Sequence, residues 1–152
     1  SKDNSTVHSV ISHALKWLKE NLNYEFQYIM LLQASSPLRT NKHIDDAINF
    51  YFKNSQNNKD TLVSVAKSSI KTNWLLKKKG KYVSFLFKQK KNNMRQHNPI
   101  YYQPNGAIFL ARIKSFKNSF YTKNTLFFEM DKKSSIDIDN LDDVKEANLN
   151  FF

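Results

Sequence analysis

The chain has 152 residues, is 40% apolar and carries 12 Phe, 7 Tyr and 2 Trp, enough for one domain with its own core, which excludes global disorder. Its 24 basic and 13 acidic residues leave a net charge of +11, and the absence of cysteine excludes disulfide frameworks, thiolate zinc sites and cysteine nucleophiles. No apolar run is long enough to span a bilayer and residues 1–4 show no signal-peptide pattern, so a reducing, cytoplasmic setting without a membrane is expected, while the start at Ser1 points to a piece of something longer.

In chain order, residues 3–21 read as a helix, with Val7, Val10, Ile11, Ala14, Leu15 and Leu18 on one stripe and Asp3 or Ser5 as cap. Residues 28–32 form a continuous apolar run, the mark of a strand buried on both faces. A polar loop over 33–40 leads to a helix over 41–53, capped by Thr40, with Ile44, Ala47, Ile48, Tyr51 and Phe52 inward. Residues 61–65 are the next strand, and the β-α-β order implies a parallel pair. An extended arm turns at Gly80, and an Asn- and Pro-rich loop covers 92–104. A buried strand over 107–111, a short helix over 113–119, strands over 126–130 and 135–138, and a helix over 141–149 with Leu141, Val144 and Ala147 inward complete the chain. The expectation is a single domain over 1–152: an open, mostly parallel α/β sheet with an arm and loop inserted over 70–104.

The charge is unevenly placed. From Thr61 to Phe128 there are 12 Lys, 2 Arg and no acid, so that stretch carries +14 and the rest −3. Such a field attracts anions. Nucleic acid is the less favoured ligand: only Arg39, Arg95 and Arg112 are arginine, and dedicated nucleic-acid surfaces favour its bidentate fork. A non-catalytic basic module stays as an alternative, recognised by salt-sensitive binding to random DNA or RNA.

Ser135-Ile136-Asp137-Ile138-Asp139 is the strongest local signal. On an extended strand Asp137 and Asp139 share one face, where two carboxylates repel unless a cation sits between them. Magnesium takes one or two carboxylates together with ligand phosphates, so Mg²⁺ is one reading; capping of the helix at Leu141 is the equal alternative. Gly106, one of two glycines, opens a buried strand and permits either positive φ or close approach of a ligand; an ordinary Asn-Gly turn is its simpler reading. The loop from Gln33 to Arg39 follows the carboxyl end of a strand, where open α/β sheets bind ligands, unless it is a plain connection with Arg39 solvated. His8, His13, His43 and His97 have no ligand spacing, and two glycines cannot build a Walker-type loop.

Four strings in order, Leu31-Leu32-Gln33-Ala34-Ser35-Ser36-Pro37-Leu38-Arg39, Arg95-Gln96, Pro104-Asn105-Gly106-Ala107-Ile108 and Ser135-Ile136-Asp137-Ile138-Asp139, resemble the acylneuraminate cytidylyltransferase (CMP-sialic acid synthetase) family. The resemblance implies a Rossmann-like sheet of the nucleotide-diphosphosugar transferase type. It also implies a reaction in which the anomeric hydroxyl of a nine-carbon 2-keto sugar acid attacks the α-phosphate of CTP and pyrophosphate leaves. On this resemblance Asp137 and Asp139 hold Mg²⁺, Gln33 and Asn105 hydrogen-bond the sugar, and Phe120 and Tyr121 line the N-acyl pocket. Arg95 and Lys71 reach the sugar carboxylate across a homodimer whose interface is the arm. Legionaminic or pseudaminic acid are alternative substrates. The family has Pro-Thr where Ala34-Ser35 stand, often Tyr where Phe109 stands and an acid where Ser134 stands. It begins with a strand and a Gly-, Ser- and Lys-bearing loop that nothing in these residues matches, so the chain is expected to lack full activity alone.

Overall fold

In a computed structural model, residues 6–56, 59–70, 75–87, 100–116 and 119–151 are described. Helix α1 (Val7–Leu22) starts at Thr6, whose side chain accepts from the Ser9 N–H; the expected caps Asp3 and Ser5 lie outside the described residues. Strand β1 (Tyr28–Leu31) is followed by α2 (Asn41–Asn54), capped by Thr40 as its sequence predicts. His43 completes that cap, its Nδ1 accepting from the Thr40 N–H at 3.2 Å. Strand β2 (Thr61–Lys67) is buried along all but its last residue, as a continuous apolar run requires at the middle of a sheet.

Strands β3 (Leu76–Lys79) and β4 (Tyr82–Phe85) form a separate hairpin turning at Gly80, whose φ of +60° suits glycine. Strand β5 (Tyr102–Arg112) reaches well back into the stretch read as loop, and β6 (Thr125–Met130) and α3 (Leu141–Leu149) lie where their patterns place them.

The sheet corrects the expected topology. Its order is β1-β5-β2-β6, and β5 runs antiparallel to both neighbours, so that among the described residues only β2 and β6 form a parallel pair. The sheet is therefore mixed rather than mostly parallel. The β1-α2-β2 crossover does return β2 in the direction of β1, but β5 inserts between them. Apolar periodicity gives a strand's faces and not the direction of its neighbour, so this was open in the sequence.

Alternate residues of β2 and β5 build the two faces of the core. Leu62, Ile108 and Leu110 pack with Ala47 and Tyr51 of α2; Val63, Val65, Phe109 and Ala111 pack with Ile11 of α1 and with Phe120. Along α1 only Ile11 is buried, and Val7, Val10 and Ala14 of the expected stripe face solvent. Phe52 and Leu141, read as inward, are 55% and 79% exposed. Of the short helix expected over 113–119, the described residues form one 3-10 turn, Ile113–Ser115, and residues 117 and 118 lie outside the described residues. Residues 136–138 do not pair into a sheet, so the expected strand over 135–138 is absent among the described residues.

Candidate active site

Because β1, β2 and β6 run one way and β5 the other, the carboxyl ends of the first three meet the amino-terminal half of β5 at one edge of the sheet. There β5 bulges. Val63 faces Phe109 and Val65 faces Pro104, so Ser64 alone stands opposite residues 105–108. Gly106 sits in that bulge at φ +72°. A Cβ placed on it would lie 2.5 Å from Gln33 Oε1 and 3.1 Å from Asp137 Oδ2. The glycine is thus required twice, for its backbone angle and for the approach of two side chains from other parts of the chain.

Gln33 reaches this point from the loop after β1, and two bonds fix that loop. Arg39 donates through one Nη1 to the Gln33 carbonyl at 2.9 Å and to the Ala107 carbonyl at 2.8 Å, so it is a clamp and not a solvated charge. The Ile138 N–H donates to the Ser35 carbonyl at 2.8 Å, stitching the loop to the segment that carries Asp137. Two acceptor oxygens held near one point leave a place for a donor or cation between them. The other oxygen, Asp137 Oδ1, is buried and has no hydrogen-bond partner among the described residues. A buried, unpaired carboxylate oxygen is costly unless something positive reaches it.

Asn105 is 4% exposed and fully engaged. Its Oδ1 accepts from Ser64 Oγ and from the Ala107 N–H, and its Nδ2 donates to Ser135 Oγ at 2.9 Å and to Met130 Sδ at 3.5 Å. The amide therefore braces the edge of the sheet from within. Asp139 is exposed, and its backbone N–H donates to Asp143 Oδ2 at 2.9 Å. Neither Asp137 nor Asp139 caps α3: Asn140 does, accepting from the Asp142 and Asp143 N–H groups, while Asp143 reciprocates toward the Asn140 N–H. The capping alternative is thereby removed for both side chains.

Phe120 is 6% exposed and belongs to the core, its ring 5.2 Å from Phe109 and 4.7 Å from Phe116. Its carbonyl accepts from Thr61 Oγ1 at the amino end of β2, the end away from Gly106. Tyr121 is half exposed, and partial burial pushes its hydroxyl pKa up. No described contact brings this pair to Gln33 or Asp137. Lys71 and Arg95 lie outside the described residues. Arg39 and Ser135 stand in the sequence motifs 33–39 and 135–139 but carry no role of their own there, and Ser64 lies outside every motif; a lone polar residue inside the apolar run Leu62-Val63-Ser64-Val65 was its available sign.

The acidic residues present suit a hard cation only in part. Among the described residues no three of His, Asp or Glu converge, but magnesium needs one or two carboxylates, and Asp137, with Oδ2 near Gln33 at Gly106 and Oδ1 unpartnered, fits that smaller demand.

The fold is an α/β one with a mixed sheet, and its co-directional strands end at a cluster of polar side chains, the edge at which open α/β sheets bind ligands. Comparison with known proteins supplies the family. Over 147 residues the chain is 31% identical to the N-acylneuraminate cytidylyltransferase of Streptococcus agalactiae serotype III, covering 94% of this chain and 33% of that protein. Over 148 residues it is 30% identical to the N-acylneuraminate cytidylyltransferase of Escherichia coli O18:K1:H7, covering 95% and 33%. The resemblance to the acylneuraminate cytidylyltransferase family carried by the four motifs thus extends along nearly the whole chain, and the chain spans about a third of the length of the curated relatives it matches. No family model matches the chain. No helix among the described residues is long and apolar enough to cross a membrane.

Proposed function

We propose that this chain carries the sugar-side wall of a cytidylyltransferase site, joining the CMP part of CTP to N-acylneuraminic acid or a related nonulosonic acid with release of pyrophosphate. The observation that carries the reading is the convergence of Gln33 and Asp137 on Gly106, with one oxygen of Asp137 buried and unpartnered. Support comes from relatives named for this activity.

In this reading Asp137 and Asp139 hold Mg²⁺, which neutralises phosphate charge when bound. Gln33 offers its amide to a sugar hydroxyl. Asn105, whose amide is engaged within the protein, keeps the wall in place. Tyr121 is the member of the aromatic pair open to an acyl group, Phe120 being packed beneath it. Lys71 and Arg95 receive the sugar carboxylate, and Arg95 is suited to do so with two parallel bonds. The work asked of these groups is positioning and charge stabilisation. Both glycines are taken, one by the hairpin turn and one by the bulge, so the triphosphate of CTP needs residues beyond these. A homodimer through the β3–β4 hairpin and a cytoplasmic setting belong to the same proposal.

Thermal melting with and without Mg²⁺ tests the metal role directly. Wild type is expected to gain stability as Mg²⁺ rises, by about 2.7 kcal/mol at a hundredfold excess over its Kd. Asp137→Asn is expected to melt no lower than wild type without metal, since it removes an uncompensated charge, and to show no response to Mg²⁺. A wild-type melt indifferent to Mg²⁺ would remove the metal from the proposal. Offering CTP with a panel of nonulosonic acids to the protein that contains this chain then identifies the acid.

A further inference from the structure

We propose that Ser64 is a positioning residue of this site: together with the Ala107 N–H its hydroxyl fixes which way the Asn105 carboxamide faces, and through Asn105 it holds Ser135 and the aspartate-bearing segment against Gly106. The inference rests on the proposed site for its function and on geometry alone for its existence.

Ser64 is 1% exposed, in the middle of the central strand. It is the single β2 residue facing the bulge of β5, between the pairs Val63 with Phe109 and Val65 with Pro104. A bulge of that size leaves backbone groups without ladder partners, and a buried N–H left so is costly. Ser64 Oγ meets this need by accepting from the Ile108 N–H at 2.7 Å. With its own proton it donates to Asn105 Oδ1 at 2.5 Å.

That donation has a consequence for direction. With Oδ1 turned to Ser64 and to the Ala107 N–H, the Asn105 Nδ2 must face the other way, where it donates to Ser135 Oγ at 2.9 Å. Ser135 passes its own proton to the Asp131 carbonyl at 2.6 Å. The polar chain therefore runs from β2 through β5 to the turn that leads into Asp137, and every link has one donor and one acceptor. A side chain without a hydroxyl at position 64 breaks it at the source: Ile108 loses its acceptor, and Asn105 Oδ1 keeps only the longer bond from the Ala107 N–H at 3.2 Å.

The test is solution NMR of the chain, with Ser64→Ala and Asn105→Asp as variants and Val63→Ala, on the opposite face of β2, as a control for general core loss. The Asp variant keeps an acceptor toward Ser64 and removes the donor to Ser135. It also decides the question should Ser64→Ala fail to fold. In Ser64→Ala the Asn105 side-chain NH₂ signals are expected to move, together with the backbone amides of Ser135, Asp137 and Ile138. Protection of the Ile138 N–H is expected to fall by about tenfold. Asn105→Asp is expected to give the same change at 135–138, and Val63→Ala to leave those signals in place. Folded Ser64→Ala or Asn105→Asp protein with the 135–138 amides unmoved would overturn the inference. Mg²⁺ added alone to the same samples separates it from the functional reading. If wild type shows no Mg²⁺ shift at Asp137 or Asp139 yet Ser64→Ala moves them, the positioning stands and the metal role fails.

Discussion

Gly80 and Gly106 share a left-handed backbone, but a Cβ at Gly80 would meet nothing within 4 Å while one at Gly106 would press on Gln33 and Asp137. Alanine at either position is expected to cost about 1–2 kcal/mol from the backbone angle alone. Only Gly106→Ala should also weaken ligand binding, because Gln33 must then swing aside. Urea denaturation of both variants, with sugar-acid titration of each, separates the two effects. Asp131 accepts from both the backbone N–H and the hydroxyl of Ser134. Hydrogen bonds from the Ser134 hydroxyl and backbone hold its carboxyl below the ordinary aspartate range, with a further contribution from the Lys133 N–H and from nearby His43. A lowered folded-state pKa means that the stability it contributes is present above the unfolded aspartate value and is lost as pH falls through the folded value. The carboxyl is more than half exposed, so the effect is small in energy and is best read as a titration shift. Ser134→Ala is expected to bring the Asp131 midpoint back up, followed by carboxyl-carbon NMR. Asp137 was legible from sequence because its neighbours spell an alternating string; Ser64 was not, because its partners lie 41 and 44 residues away.

Helix α3 begins where its capping chemistry dictates. Asn140 accepts from two N–H groups of the first turn while Asp143 accepts from the Asn140 and Asp139 backbones. Asn140→Ala is expected to cost about 1 kcal/mol, measured by chemical denaturation. Asp143→Ala is expected to cost a similar amount and, in addition, to loosen Asp139, whose N–H it releases. Elements of this kind were readable beforehand: Thr40 and the periodicity of 41–53 placed α2, and Gly80 placed the hairpin turn. The segment 135–138 was misread as a strand because alternating Ile and Asp mimics one. In the structure it is tied by a single bond to Ser35 and by Asn105 to β5, contacts with no local signature. Over 113–116 the chain makes one 3-10 turn and then leaves it, with Phe116 packed in the cluster around Phe120, again a contact with no local signature.

Among the described residues, α1 and the hairpin both leave apolar surface in view. On α1, Val7, Val10 and Trp17 are each about half exposed, and the hairpin shows Leu76, Val83 and Phe85 at 54%, 64% and 49%. Register puts those three hairpin residues on one face, with Lys78 opposite Val83. A two-stranded hairpin is marginal in water by itself, so a covering partner is part of the proposed dimer. Phe85→Asp is expected to shift the assembly toward monomer in sedimentation velocity while leaving the four-stranded sheet intact by circular dichroism. The mixed strand order could not be read from local pattern, because β5 joins β1 and β2 only through long-range pairing. The Arg39 clamp bears on the molecule as a working device. One guanidinium nitrogen grips a carbonyl of the Gln33 turn and a carbonyl of β5, so turn and strand behave as one rigid lever. If Gln33 meets the sugar as proposed, the entropy of fixing its backbone is surrendered during folding, ahead of the encounter.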